Sequence, residues 1–133
     1  ESDERYNPQS REFDPALVLK ALYQSGIHSS TAMSDFGSWI KGVSENKKSI
    51  LASDCVAFDG MWIHYYFDQT GLPNPFVYGG LDISSMYKGM TGNVKNLKES
   101  EFLTSGDLSH NALEDAVAQA QALEKMLQLM KAK

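Results

Sequence analysis

Three side chains in this 133-residue sequence combine a reactive type with an informative position: Asp59, His110 and Asp115. Carboxylates offer hard oxygens, the donors that Mg²⁺ and Mn²⁺ favour, and a histidine can take a proton from water near neutral pH. On a helix of 3.6 residues per turn, Asp115 lines up with Gln119, Ala122 and Met126, at the edge of the apolar arc. A half-buried charge there calls for a partner, and a metal ion or other cation is the natural one. The alternative is an acidic residue favoured by the helix dipole in the first turns and nothing more. Asp59 presents a similar choice, between a helix N-cap and a carboxylate at a strand-to-helix turn, where α/β folds place ligands. His110 is either an ordinary loop histidine or a base poised beside Asp115. Asp54, Asp68 and Asp82 are further carboxylates; Asp68 reads as solvated in a polar turn, and Asp82, between Leu81 and Ile83, is the stronger candidate.

The elements that must position these groups can be read from spacing. Asp14-Pro15 marks a helix start, with Leu17, Val18, Leu19 and Leu22 as its apolar residues and Gly26 as its end. Ser34 is the expected cap of a second helix carrying Phe36, Trp39, Ile40 and Val43. The apolar run at 49–53 reads as a buried strand, and residues 59–69 as a helix beginning at Asp59. Residues 76–78 and 81–83 read as strand, with Gly79-Gly80 as a bend or bulge. A helix around 84–88 is expected within an otherwise loop-like stretch to 109. The last helix is the clearest: Leu113, Val117, Ala120, Leu123, Leu127 and Met130 repeat every three or four residues, Asn111 with Glu114 fits a capping pattern, and Met126 and Met130 read as core. The order of helices and strands indicates an α/β layer architecture in a single domain.

Composition sets the outer bounds. A formal charge of −5 argues against holding nucleic acid by a broad basic surface, although carboxylate-bound cations let an acidic site receive a phosphate. The single cysteine, Cys55, permits no internal disulfide and indicates a reducing, cytoplasmic setting. No apolar run approaches the roughly 20 residues of a membrane span. Trp62, Tyr65, Tyr66 and Phe67 are read as core first and as a stacking surface for nucleobases second.

Two of these pieces taken together resemble a known family. Residues 53–59, a strand leading to Phe58-Asp59 ahead of an aromatic helix, resemble the second motif of the DEDD exonucleases. His110 and Asp115, in a His-x4-Asp arrangement, resemble the third motif of the histidine subclass, DEDDh. Residues 81–92 are similar to the connection found in bacterial and phage 3′–5′ exoribonuclease-like members. The resemblance spans about residues 35–130 of the chain.

It implies a ribonuclease H-like fold, a mixed sheet flanked by helices, and hydrolysis of phosphodiester bonds from the 3′ end of single-stranded RNA or DNA by a two-metal mechanism. Asp59 and Asp115 would then ligate Mg²⁺ or Mn²⁺, His110 would activate the attacking water, and Phe58, Trp62 and Cys55 would contact substrate. Cys55 stands where asparagine is commoner in the family. The family's first motif, Asp-x-Glu on an opening strand, has no counterpart here, since Asp3-Glu4 has neither the pattern nor an apolar strand around it. The expectation is therefore a domain with its N-terminal strands missing, inactive or nearly so as this chain alone. The alternative is a catalytically empty module that binds nucleic acid or protein on an exonuclease-like fold. A sheet with an open edge also leads us to expect association, for instance as a homodimer.

Overall fold

The computed structural model describes residues 4–8, 10–92, 97, 102–103 and 112–132. After a single 3-10 turn at Glu4–Tyr6, helices α1 (Pro15–Ser25) and α2 (Ser29–Val43) lead into strand β1 (Ser49–Ser53). Helix α3 (Val56–Thr70), strand β2 (Phe76–Asp82), helix α4 (Ile83–Thr91) and helix α5 (Ala112–Lys131) follow. The architecture is mixed α/β, with five helices and one two-stranded sheet among the described residues.

α1 starts as its sequence dictates: the Asp14 carboxylate accepts from the Ala16 and Leu17 N–H groups at 3.0 and 3.1 Å, and Pro15 occupies the first turn. α2 begins earlier than the expected cap at Ser34. His28 takes that role instead, its Nδ1 accepting from the Ser30 N–H, and the small polar residues at 29–32 continue the helix without a break. α3 likewise begins before Asp59, which lies inside its first turn. Gly71, in the left-handed region at φ 65°, ends that helix at no steric cost.

β1 and β2 run parallel, joined by α3 as a crossover helix, with Leu51, Ala52 and Ser53 opposite Gly80, Leu81 and Asp82. The α/β class expected from the sequence is present, and among the described residues its sheet consists of this one parallel pair. Between Ser49↔Phe76 and Leu51↔Gly80 the register slips, so the expected irregularity around Gly79-Gly80 is present within one continuous strand. Gly80 is required by a close approach: a Cβ there would lie 2.3 Å from Val56 Cγ2, at the stiff, β-branched first residue of α3.

Two apolar clusters hold the layers. Ile83 and Tyr87 of α4, Ala122 and Met126 of α5, and Leu97, Phe102 and Leu103 form a buried core, with Ala52 of β1 packed against it. On the other side, Phe36 of α2 stacks against Phe67 of α3 and tilts against Phe76 of β2, with ring centroids 6.3 and 6.1 Å apart. Complete burial of a side chain such as Met126 or Phe67 stabilises the fold by about 1.5–3 kcal/mol.

The packing of α5 differs from its apolar repeat. The face in contact with the core carries Ala122 and Met126 with half-buried Asp115, Ala118, Gln119 and Leu123. Leu113, Val117, Leu127 and Met130 are exposed, so Met130 is not core. Ala122 and Met126 pack into the core with Ile83 and Tyr87 of α4, where a small and a flexible side chain fill the space between the two helices. None of the described helices is long and apolar enough to cross a membrane.

Candidate active site at the free edge of β1

Among the described residues β1 pairs with β2 on one side only, and along its other edge they leave a cleft of about 570 Å³. Leu51, Ala52 and Ser53 form its floor, Asp59 and Ile63 of α3 one wall, and Asp115, Ala116, Gln119 and Leu123 of α5 the other. Asp59 and Asp115, far apart in sequence, therefore face one space. Both are half-buried.

Each wall is held by a specific bond. The Gln119 side-chain oxygen accepts from the Asp54 N–H at 2.8 Å, tying α5 to the end of β1 one helical turn beyond Asp115. Asp54 is itself held by the Ser84 hydroxyl, which donates to Oδ1. On the α3 side, Asp82 Oδ2 accepts from the Val56 N–H at 3.2 Å while its Oδ1 accepts from the Ser85 N–H at 2.7 Å. One carboxylate thus caps two helices, and it performs for α3 the service expected of Asp59. Burial pushes the Asp82 carboxyl up, but the hydrogen bonds from Ser85 and Val56 and the charge of Lys88 outweigh it and hold the group below the usual 3.8. Asp82 is thereby accounted for as a structural residue.

The cleft is different. Asp115 Oδ1 and Ser53 Oγ are buried with no hydrogen-bond partner among the described residues. A buried polar atom left unbonded costs on the order of 1–3 kcal/mol, and more when charged, so such atoms in a native fold call for a partner. A hard cation suits the chemistry of these donors, oxygen only and partly anionic. Among the described residues no group of three or more His, Cys, Asp or Glu side chains is placed to hold a metal ion, so Asp59 and Asp115 supply two carboxylates to the cleft and no more.

The remaining expected site residues lie elsewhere. His110 falls outside the described residues, as does Asn111. Cys55 precedes α3, is exposed and makes no side-chain cap bond. Phe58 and Trp62 are exposed and do not line the cleft. Trp62 instead packs with Tyr65 and Tyr66 at ring distances of 6.2 and 6.5 Å, an aromatic face on α3, while only Phe67 of this group is core. Asp68 is exposed, as its polar turn predicts. Ser53 and Gln119 were not singled out as site residues. Gln119 carried a signal, a polar group one turn from Asp115 on the same stripe, but Ser53 carried none beyond its position at a strand end.

Comparison with known proteins bears on what this cleft serves. The family model of the 3′–5′ exoribonuclease Rv2179c-like domain matches residues 9–127, which include both carboxylates, every element from α1 to α4 and most of α5. The chain is also 34% identical over 128 residues to the 3′–5′ DNA exonuclease Cap18 of Escherichia coli, an alignment covering 86% of this chain and 67% of that protein. No solved structure matches. The chain belongs to the Rv2179c-like 3′–5′ exoribonuclease domain family.

Proposed function

We propose that this chain carries the Asp59–Asp115 half of a DEDDh-type 3′–5′ exonuclease site on a ribonuclease H-like fold, and that it needs further carboxylates to hydrolyse nucleic acid. The observation that carries this reading is the cleft itself, which joins two distant carboxylates at an edge of β1 and, among the described residues, leaves a buried oxygen of Asp115 without a partner. An added strand along that edge, bearing the Asp-x-Glu pattern that this sequence lacks, would bring the missing carboxylates to the same space.

In this reading Asp59 and Asp115 hold Mg²⁺ or Mn²⁺ through carboxylate oxygens. When bound, divalent cations supply the positive charge that neutralises the phosphodiester and the oxygens that enter and leave it. His110 accepts the proton of the attacking water, whose oxygen bonds to phosphorus as the bond to the 3′ oxygen of the preceding nucleotide breaks. Gln119 and Asp54 keep α5, and with it Asp115, against the strand end. The aromatic face at Trp62 and the neighbouring Phe58 and Cys55 would meet the substrate strand beside the cleft. The family's description names RNA and the relative's name DNA, with the same 3′–5′ polarity in both, and a single-stranded 3′ end of either kind is the substrate class we assign.

Two measurements test this. The purified chain, given end-labelled single-stranded RNA or DNA and Mg²⁺, is expected to release almost no mononucleotides; robust Mg²⁺-dependent release would refute the need for further carboxylates. Mn²⁺ titration is expected to show binding that Asp59→Ala abolishes. The absence of a third ligand group among the described residues favours a second reading, a catalytically empty binding module. That reading gains if Mn²⁺ binding is equally weak with and without Asp59.

A further inference from the structure

The two buried, unpartnered side-chain oxygens among the described residues, Asp115 Oδ1 and Ser53 Oγ, belong to residues lining the same cleft. Their neighbours at this end of the sheet are satisfied. The Asp54 N–H reaches Gln119, the Asp54 carboxylate takes the Ser84 hydroxyl, and Asp82 takes two backbone N–H groups. Ser53 is only 6% exposed, and as the last residue of β1 it sits at the carboxyl end of a parallel strand, where α/β folds gather ligands. An alanine would fill this position without burying a bare hydroxyl.

A hard divalent cation can satisfy both oxygens at once. Ionised Asp115 can only accept, and a serine hydroxyl can accept through its lone pairs while its proton turns aside. Two such oxygens that do not bond each other, beside a second carboxylate, suit a hard divalent cation, which accepts neutral and anionic oxygens alike. A phosphate would be repelled by Asp59 and Asp115, and an apolar group would leave both oxygens unbonded.

We propose that Ser53 Oγ contributes a neutral oxygen to the coordination shell of the cation held by Asp59 and Asp115. The assignment rests on the reading of the cleft as a cation site. It makes Ser53 a binding residue that adds coordination without adding charge, and it gives a use to a buried hydroxyl at a position where alanine would pack as well.

The test is calorimetric titration of Mn²⁺ alone into the intact 133-residue chain and its variants, with melting curves recorded in the absence of metal. Ser53→Ala is expected to melt at or above the wild-type temperature without metal, yet to bind Mn²⁺ about tenfold more weakly, the loss typical of a supporting group at a metal site. Ser53→Thr, which keeps the hydroxyl, is expected to retain most of the affinity. Ser53→Cys keeps the volume with a softer atom, so it should weaken binding as alanine does, and it serves if the alanine variant does not fold. Wild-type Mn²⁺ affinity in Ser53→Ala and Ser53→Cys, with binding lost in Asp59→Asn, would overturn the Ser53 assignment and leave the cation site standing. Equal Mn²⁺ affinity in wild type and Asp59→Asn would overturn the cation site itself.

Discussion

Asp82 and Asp115 are both half-buried aspartates at the start of a helix packed near the end of the sheet, yet their oxygens are treated in opposite ways. Asp82 accepts one backbone N–H on each oxygen, from Val56 and Ser85, and so closes the corner where α3 and α4 begin. Asp115 leaves Oδ1 buried and without a partner among the described residues, across a cleft from Asp59, and the Ser53 hydroxyl lining the same cleft is in the same state. A carboxylate that finishes a fold has its hydrogen bonds supplied by that fold. One that the fold buries and leaves unserved is built for something that arrives later, at a cost in stability that the rest of the domain offsets.

The contrast can be broken most sharply by metal binding. Asp59→Asn is expected to abolish measurable Mn²⁺ binding, a loss beyond the roughly 100-fold seen when only a ligand's supporting partner is removed, while Asp82→Asn leaves it unchanged. Equal losses in calorimetry would mean that the corner and the cleft are one site. A smaller effect, on stability, should run the other way. Asp82→Ala removes the cap of α4 and the tether of α3 and is expected to cost about 1–2 kcal/mol in urea unfolding. Asp115→Ala without metal should be neutral or stabilising, because it removes an unpaired buried oxygen. A destabilised Asp115→Ala would show that this carboxylate is structural.

The smallest effect concerns acid. The Asp82 pKa is lowered below 3.8, so the stability it contributes is fully present above that value and is lost as pH falls through the folded-state pKa. The advantage of wild type over Asp82→Asn in urea midpoint is therefore expected to be flat from about pH 5 to 7 and to shrink below pH 3.8. Solvent around this carboxylate keeps the effect modest. An advantage that persisted undiminished at pH 3 would show that shape, and not charge, matters at the corner.

Much of the fold was legible before any coordinates. The strand at Ser49–Ser53, the start of α1 at Asp14-Pro15 and the long last helix follow from apolar runs and capping chemistry, which act over a few residues. The start of α3 was not legible, because its first N–H is bonded by Asp82, a residue 26 positions later in the chain. The buried face of α5 was misread for a related reason. Its most regular apolar repeat, through Leu113, Val117 and Met130, lies in solvent, and the face bearing Ala122 and Gln119 packs, since Ala122 fits against α4 in the core and Gln119 bonds the Asp54 N–H, partners that periodicity alone does not name.

The pairing of Asp59 with Asp115 divides the same way. Residue types and motif order in the sequence by themselves determined that these two carboxylates, with His110, were the groups to watch, because the chemistry of an oxygen ligand or a base belongs to the side chain wherever it sits. That Asp59 and Asp115 share one cleft, that Asp82 does not join them, and that Ser53 does, was decided only by tertiary structure. Among the described residues, the parallel pairing of β1 with β2 and the packing of α3 and α5 around it fix which residues line the cleft.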